Sequence, residues 1–123
     1  MKDTDAADKK FQKELNAGIA ALVLLSVLNQ TTEAMYGYQI AKVIEKDKED
    51  MPMIKQGTLY PVLRSLESSG LLESEVEPSI SGPPRRYYRI TESGRDALKR
   101  WTEIWNRTQT FMNTHFKEDN DGK

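Results

Sequence analysis

Apolar residues recur at helical spacing in three stretches of the first half of the chain. Between Phe11 and Leu28 they are so dense that the helix is predicted to be buried on several sides. A second helix is predicted from Tyr36 to about Glu49, because Pro52 stops it. A third is predicted from Gln56 to Ser69, followed by Gly70 as its C-terminal glycine. The apolar face of this third helix consists of Leu59, Val62, Leu63 and Leu66.

The second half of the chain changes to a strand pattern and then returns to a helix. Leu71–Glu77 and Arg85–Ile90 are short segments with β-favouring residues, and the proline- and glycine-rich run 78–84 predicts a hairpin tip between them. From Thr91, which can cap a helix, apolar residues again step by three and four. Pro61 predicts either that the third helix effectively starts near Gly57 or that its first turn is kinked.

This order of elements predicts an α+β fold that is mostly helical: a winged helix-turn-helix with a β-hairpin wing and a C-terminal dimerisation helix. In such a fold the third helix enters the major groove of DNA and the hairpin flanks it. The length of 123 residues fits one domain. We expect a flexible N-terminal arm over 1–10, the winged-helix DNA-binding domain over 11–90, the dimerisation helix over 91–116 and a disordered tail over 117–123.

Composition argues against several classes of function. The chain has no cysteine and one histidine, His115, so we expect no disulfide, no metal site, no cofactor and no histidine-based triad. Carboxylates are plentiful, but no nucleophile–base pair or phosphate loop accompanies them, which argues against an enzyme. The apolar run Ile19–Leu25 is too short to cross a bilayer and residues 1–10 are too charged for a secretory signal. We therefore expect a cytoplasmic protein without a membrane partner.

The formal net charge of −1 conceals a local imbalance. From Arg85 to Arg100 six cations face two anions, a net charge of +4, whereas Glu67 to Pro78 holds four anions and no cation. A local basic surface steers a protein to phosphate more than its net charge does. The hairpin and its surroundings are therefore predicted to meet double-stranded DNA, with its dense negative charge.

Four segments resemble the PadR family of transcriptional regulators, and their order and spacing match as well. They are Tyr36–Ile40, Gly57–Leu63, Leu66–Leu72 and Arg85–Gly94. The resemblance covers roughly Leu15 to Trp105, and the short C-terminal part is similar to the subgroup with a single final helix. One departure is Lys55-Gln56, where many members carry Ser-Pro. The resemblance implies a homodimeric repressor on a pseudo-palindromic operator, with a small aromatic or phenolic molecule as the candidate effector.

The third helix and the wing supply most of the candidate DNA-binding residues. These are Tyr36, Lys55, Gln56, Thr58, Tyr60, Arg64, Arg85 and Arg86. Thr58 and Tyr60 hydroxyls suit phosphate oxygens, and Arg64 suits a phosphate or a guanine edge. The alternative is that these residues are merely exposed and that Tyr60 packs against the wing. For Tyr36, capping or packing is as good an interpretation as DNA contact.

The two wing arginines, Arg85 and Arg86, adjoin the hairpin tip and are expected to contact phosphates. The alternative is cross-strand pairing with carboxylates of the preceding strand. Those carboxylates belong to Glu73, Glu75 and Glu77. The neighbouring Tyr87 and Tyr88 point to opposite faces of a strand, so one is expected in the core and the other outside it.

The final helix is expected to pair with a second copy of the chain, because its apolar stripe steps by about 3.5 residues. The predicted dimerisation residues are Leu98, Trp101, Ile104, Trp105, Thr108, Phe111 and Met112. The alternative is packing on its own first helix. In PadR-like regulators the position of Trp105 can line a pocket for flat aromatic ligands. The candidate ligand residues are accordingly Asn16, Trp101, Trp105 and Met112. Rival hypotheses are a winged-helix protein-interaction module without DNA binding and a MarR-type regulator.

Overall fold

Four helices and a three-stranded antiparallel sheet form the part of the chain that the computed structural model describes, residues 2–46 and 56–121. The elements are, in chain order, α1 (Lys2–Asn29), β1 (Met35–Tyr36), α2 (Gly37–Lys46), α3 (Gln56–Ser68), β2 (Leu72–Glu77), β3 (Arg85–Ile90) and α4 (Glu92–Asp121). The sheet order is β1-β3-β2. The predicted α+β, mostly helical winged helix-turn-helix fold is confirmed.

The core forms where the second half of α1 packs against the other helices and β3. Leu24, Leu25 and Leu28 of α1 are almost completely buried. They meet the buried faces of α2 and α3, with the inner face of the sheet beside them. Full burial of one such side chain contributes about 1.5–3 kcal/mol. The predicted apolar face of α3 is confirmed for Leu59, Leu63 and Leu66, which are buried, and for Val62, which is half-buried.

Helix α3 ends as the sequence predicts and carries its proline inside. Gly70 adopts φ +80°, and the Leu71 N–H donates to the Leu66 carbonyl at 3.0 Å, which completes a Schellman motif. The helix begins at Gln56, next to the predicted start near Gly57, and Pro61 lies within it. Because proline lacks an N–H, the carbonyl of Gly57 loses its usual helical donor.

The hairpin and the start of α4 agree closely with the predicted elements. β3 has the predicted bounds, and β2 begins at Leu72, one residue later than predicted. Tyr88 is buried in the core while Tyr87 is half-buried on the opposite face, as expected. The Thr91 hydroxyl accepts a hydrogen bond from the Gly94 N–H at 3.0 Å, so the predicted helix cap is confirmed.

Three predicted boundaries are wrong. The arm predicted to be flexible over 1–10 belongs to α1 from Lys2 onwards, and α4 continues through residues 117–121 of the predicted disordered tail. Both ends extend a helix that is anchored in the core, and extension fixes only one residue for each added hydrogen bond. The third correction is that Tyr36 lies in β1 and α2 begins at Gly37.

Helix α1 is long and apolar enough over Thr4–Asn29 to cross a membrane by length and composition alone. The sequence analysis considered only the uninterrupted apolar run Ile19–Leu25, which is much shorter than this helix. The finding is weak support for a membrane span, because a core helix passes the same test. Leu24, Leu25 and Leu28 of this helix lie in the hydrophobic core.

Candidate nucleic-acid interface

A pocket of about 450 Å³ opens between the wing, the start of α2 and the outer side of α3. We define the wing as β2, β3 and the tip 78–84, and we call this opening the aromatic–arginine pocket. Its lining residues are Tyr36, Gly37, Tyr38, Tyr60, Arg64, Pro84, Arg85, Arg86 and Tyr88. Three guanidinium groups and four phenol rings thus converge from four separate elements.

Arg86 is tied to α3 through a short chain of hydrogen bonds. Its Nη1 donates to the Ser74 hydroxyl at 2.9 Å, and that hydroxyl donates to Glu67 Oε2 at 2.5 Å. Ser74 belongs to β2 and Glu67 to the last turns of α3, so these hydrogen bonds link the wing to the helix.

Tyr88 also lines the pocket, and burial raises the pKa of its phenol. The negative charge of Glu67 adds to this rise, while the charges of Arg86 and Arg64 oppose it.

Arg85 lies over an aromatic ring. Its guanidinium carbon is 4.5 Å from the ring centroid of Tyr36, within the range of a cation–π interaction. The same ring meets Tyr87 edge-on, with centroids 5.3 Å apart. Among the described residues, the only wing arginine in an ion pair is Arg89, whose Nε lies 3.9 Å from Glu73. The alternative that Arg85 and Arg86 pair with strand carboxylates is therefore not what the structure shows.

Tyr38 and Lys42 extend the pocket along α2, and the sequence analysis missed both. The rings of Tyr36 and Tyr38 stack with centroids 6.3 Å apart, and Lys42 Nζ lies 5.3 Å from the Tyr38 centroid. The hydrogen bond to the Tyr38 phenol is the main cause that raises the pKa of Lys42. The spacing of Tyr38 and Lys42 could have indicated their contact, because residues four apart on a helix are neighbours.

Five of the eight predicted DNA-binding residues come together in the structure. Tyr36, Tyr60, Arg64, Arg85 and Arg86 line one pocket. Thr58 is half-buried on α3 and is not a lining residue of this pocket. Gln56 is described only as the first residue of α3, and Lys55 lies outside the described residues.

A second opening of about 340 Å³ lies between α1 and α4, and we call it the apolar groove. It is lined by Gly18, Ala21, Leu22, Trp101, Ile104, Trp105 and Thr108. Two of the candidate ligand residues, Trp101 and Trp105, are among them, whereas Asn16 and Met112 are not.

Three of the predicted dimerisation residues form an exposed apolar face along α4. Ile104, Trp105 and Phe111 are 52%, 41% and 66% exposed, although all three are large and apolar. Leu98 and Trp101 instead pack against the core, and Met112 is half-buried. Helix α1 also carries two exposed apolar side chains, Phe11 and Leu15, which the sequence analysis did not single out.

A family model described as the transcriptional regulator PadR-like family matches residues 24–100, well over half of the chain. The chain belongs to the PadR-like family of transcriptional regulators. The expected family is thereby confirmed. The hypotheses of a protein-interaction module and a MarR-type regulator give way to it.

Solved structures and sequence relatives agree with this membership. A PadR family transcriptional regulator from Eggerthella lenta is 33% identical, covers 92% of this chain and 96% of its own, and superposes with a TM-score of 0.67. A transcriptional regulator from Clostridium thermocellum is 31% identical over 82% of this chain and 93% of its own, with a TM-score of 0.70. A transcriptional regulator of Mycobacterium tuberculosis is 51% identical over 45 residues, which are 37% of this chain and 41% of that relative.

Membership in the PadR-like family makes this protein a DNA-binding transcriptional regulator and not an enzyme. Within residues 2–46 and 56–121, no group of three or more histidine, aspartate or glutamate side chains is arranged to hold a metal ion. The chemistry available at the aromatic–arginine pocket is hydrogen bonding and charge attraction, which suits phosphates and base edges.

Proposed function

We propose that this PadR-like regulator is a cytoplasmic repressor that binds a pseudo-palindromic operator as a homodimer. One observation carries the DNA-binding part of the proposal. Arg64 of α3 and Arg85 and Arg86 of β3 open onto a single pocket, and no ion pair to a carboxylate occupies them among the described residues. A guanidinium offers five N–H donors in a planar fork that matches phosphate oxygens.

The proposed contacts divide between the two elements. Arg85 and Arg86 of the wing bind backbone phosphates, which strengthens binding without reading sequence. On α3, Tyr60 donates its hydroxyl to a phosphate and Arg64 reaches a phosphate or a guanine edge in the major groove. We extend this set to Thr58, Lys55 and Gln56, because the first turns of a recognition helix face the bases.

Salt-dependent DNA binding by two arginine variants tests this assignment. The probe is a fluorescein-labelled duplex that the wild-type protein selects from a random-sequence pool, and binding is followed by fluorescence anisotropy. The variant Arg85→Ala/Arg86→Ala should bind more weakly, and its plot of log affinity against log salt should flatten by about 0.9 for each phosphate that an arginine no longer neutralises.

Arg89→Ala is the matched control, because Arg89 lies on the same strand but pairs with Glu73 on the outer face of the wing. It should keep the wild-type affinity and slope. If the double variant and the control behave alike, or if wild-type protein selects no duplex, the proposed DNA interface is wrong.

The homodimer is proposed from the exposed apolar face of α4. Ile104, Trp105 and Phe111 leave a large hydrophobic area in water, and such contiguous patches mark association surfaces. A second copy related by a two-fold axis would cover this area. It would also present two recognition helices to half-sites about 34–36 Å apart, which explains why the proposed operator is pseudo-palindromic.

The proposed effector is a small aromatic or phenolic molecule that binds in the apolar groove. Two indole rings, Trp101 and Trp105, line this groove, and flat rings stack favourably on indole. A ligand that prefers one spacing of the two winged helices over another would shift the population away from the DNA-binding arrangement. This shift alone would release the repressor from its operator.

A further inference from the structure

We infer that the step Tyr36–Gly37, where β1 passes into α2, is a joint that holds the wing and the recognition helix α3 in register for DNA. The inference rests on the proposed function, because it concerns how the proposed contacts Arg85 and Tyr60 are held relative to each other. Each residue of the step touches one of them. Tyr36 and Gly37 are therefore positioning residues rather than DNA contacts.

The ring of Tyr36 lies against the guanidinium group of Arg85 in the wing. The guanidinium carbon of Arg85 lies 4.5 Å from the centroid of the Tyr36 ring, and Tyr87 supports that ring from its edge at 5.3 Å. Stacking uses the flat face of a guanidinium and leaves the N–H groups at its rim free to donate in the plane. Arg85 is thus held in place while its donors remain available to a phosphate.

The backbone of Tyr36 is fixed to both neighbouring elements. It pairs with Tyr87 in the sheet, which ties it to β3. Its N–H donates to the side-chain oxygen Oε1 of Gln39 at 3.1 Å, so the third residue of α2 reaches back over the start of the helix. Because of this strand pairing and this hydrogen bond, a shift of Tyr36 would disturb either the wing or the first turn of α2.

Gly37 leaves room for the ring of Tyr60, the tyrosine of the recognition helix. It is buried, and a Cβ added to it would lie 2.7 Å from Tyr60 Oη and 2.8 Å from Tyr60 Cζ, closer than real side chains allow. Alanine is ordinarily the better helix residue. Here a methyl group would push the phenol of Tyr60 out of its place in the aromatic–arginine pocket.

One backbone step therefore sets where two DNA-contacting side chains lie. Arg85 comes from β3 and Tyr60 from α3, and the described structure brings both against adjacent residues of a third segment. The distance between a wing phosphate contact and a recognition-helix phosphate contact has to match the fixed geometry of the duplex. The joint supplies that match without itself contacting DNA.

A double-mutant cycle between Tyr36 and Arg85 tests the first half of the joint, with the selected duplex as the probe. Tyr36→Ala should weaken binding about two- to five-fold in the wild-type background and have no effect in an Arg85→Ala background. Tyr36→Phe keeps the ring and should bind like wild type. An equal loss in Tyr36→Phe would mean a direct hydroxyl contact, and equal losses in both backgrounds would mean no coupling. Either result overturns this half of the inference.

A second double-mutant cycle, between Gly37 and Tyr60, tests whether Gly37 positions the Tyr60 ring. Gly37→Ala should weaken binding by at least about five-fold, and this loss should vanish in a Tyr60→Ala background, where the ring that the methyl group would meet is absent. Thermal melting followed by circular dichroism checks that each variant is folded. If Gly37→Ala costs the same affinity in both backgrounds, Gly37 does not act through Tyr60.

The two cycles also separate this inference from the proposed function. If the wild-type protein shows no salt-dependent affinity for any selected duplex, the DNA-binding proposal itself has failed. If the wild type binds normally while both cycles are additive, only the joint is refuted. Should Gly37→Ala fail to fold, the Tyr36–Arg85 cycle still decides the matter, because it changes no buried glycine.

Discussion

The aromatic–arginine pocket and the apolar groove are of similar size but opposite chemistry. The pocket gathers arginines and phenols whose donors no carboxylate occupies among the described residues, so it suits a polyanion. The groove is lined by two tryptophans with aliphatic and small residues, and its exposed surface is almost wholly apolar. The surface proposed to bind DNA is rich in arginine, and the separate surface proposed for assembly or ligand binding is apolar.

The largest expected effect comes from placing a charge in the apolar face. The variant Ile104→Glu/Phe111→Glu should prevent pairing of two chains, because a carboxylate would have to be buried between them. Sedimentation equilibrium should then show a monomer. Affinity for a two-half-site duplex should fall about a hundred-fold or more, since the two half-sites can no longer be bound together.

Glu103→Ala is the control for this experiment, because Glu103 is an exposed polar residue of the same helix outside the predicted stripe. It should leave both assembly and affinity unchanged. A charged variant that remains dimeric would remove the apolar face of α4 from the assembly surface.

A smaller effect is expected from Arg64, the pocket arginine on the recognition helix. Arg64→Ala should weaken DNA binding about ten-fold, in the range found for a single well-formed contact. Arg64→Lys sharpens the result, because lysine keeps the charge and loses the planar fork. If lysine restores both affinity and sequence preference, the contact is a phosphate. If it restores affinity but broadens the selected sequences, the contact is a guanine edge.

The tryptophans of the apolar groove should report a flat ligand directly. Titration of the protein with a phenolic acid or a planar aromatic drug should quench tryptophan fluorescence, because the ring stacks on an indole of the groove. In Trp105→Ala, titrated under matched conditions, the remaining Trp101 should show a much weaker response. No quenching in the wild type, or unchanged quenching in the variant, would remove the effector from the proposal.

The smallest effect is a pH dependence from Tyr88 beneath the pocket. Burial raises the pKa of this phenol in the folded state above its ordinary value of 10.0. The unfolded chain therefore releases this proton first, and the stability that it contributes is complete below about pH 10 and declines as the pH rises further.

Urea unfolding at about pH 9 and about pH 11 measures this dependence. The wild type should lose slightly more stability between the two pH values than Tyr88→Phe, which has no phenol to titrate. Equal losses would mean that burial does not perturb the group.

Local patterns in the sequence were sufficient to predict the elements that bury a regular face. The alternation and aromatic content of Arg85–Ile90 predict β3 with its correct bounds, and the leucine spacing of α3 predicts its buried side. Gly70 and Thr91 mark helix boundaries through local hydrogen bonds, which is why both were found. Five of the eight candidate DNA-binding residues line one pocket, because they follow from helix face and strand position.

The features that depend on distant contacts were not predictable in this way. β1 has only two residues and exists because the free edge of β3 passes beside Met35–Tyr36. The stack of Arg85 on Tyr36 and the fit of Tyr60 against Gly37 join segments that are far apart in the chain. Residues 2–10 lack an apolar rhythm, so nothing in their own pattern reveals that they continue α1.

Gly94, in the first turn of α4, lets two backbones touch. A Cβ there would collide with the Leu71 carbonyl oxygen and lie 2.7 Å from Ile90 Cγ1, and the Thr91 N–H donates to the same carbonyl at 3.1 Å. At Gly94, therefore, no side chain of α4 separates the helix from the turn that ends α3. Trp105 lies about 16 Å further along α4. If a ligand in the apolar groove tilts α4, we therefore expect the direct contact at Gly94 to pass that tilt to the turn that ends α3.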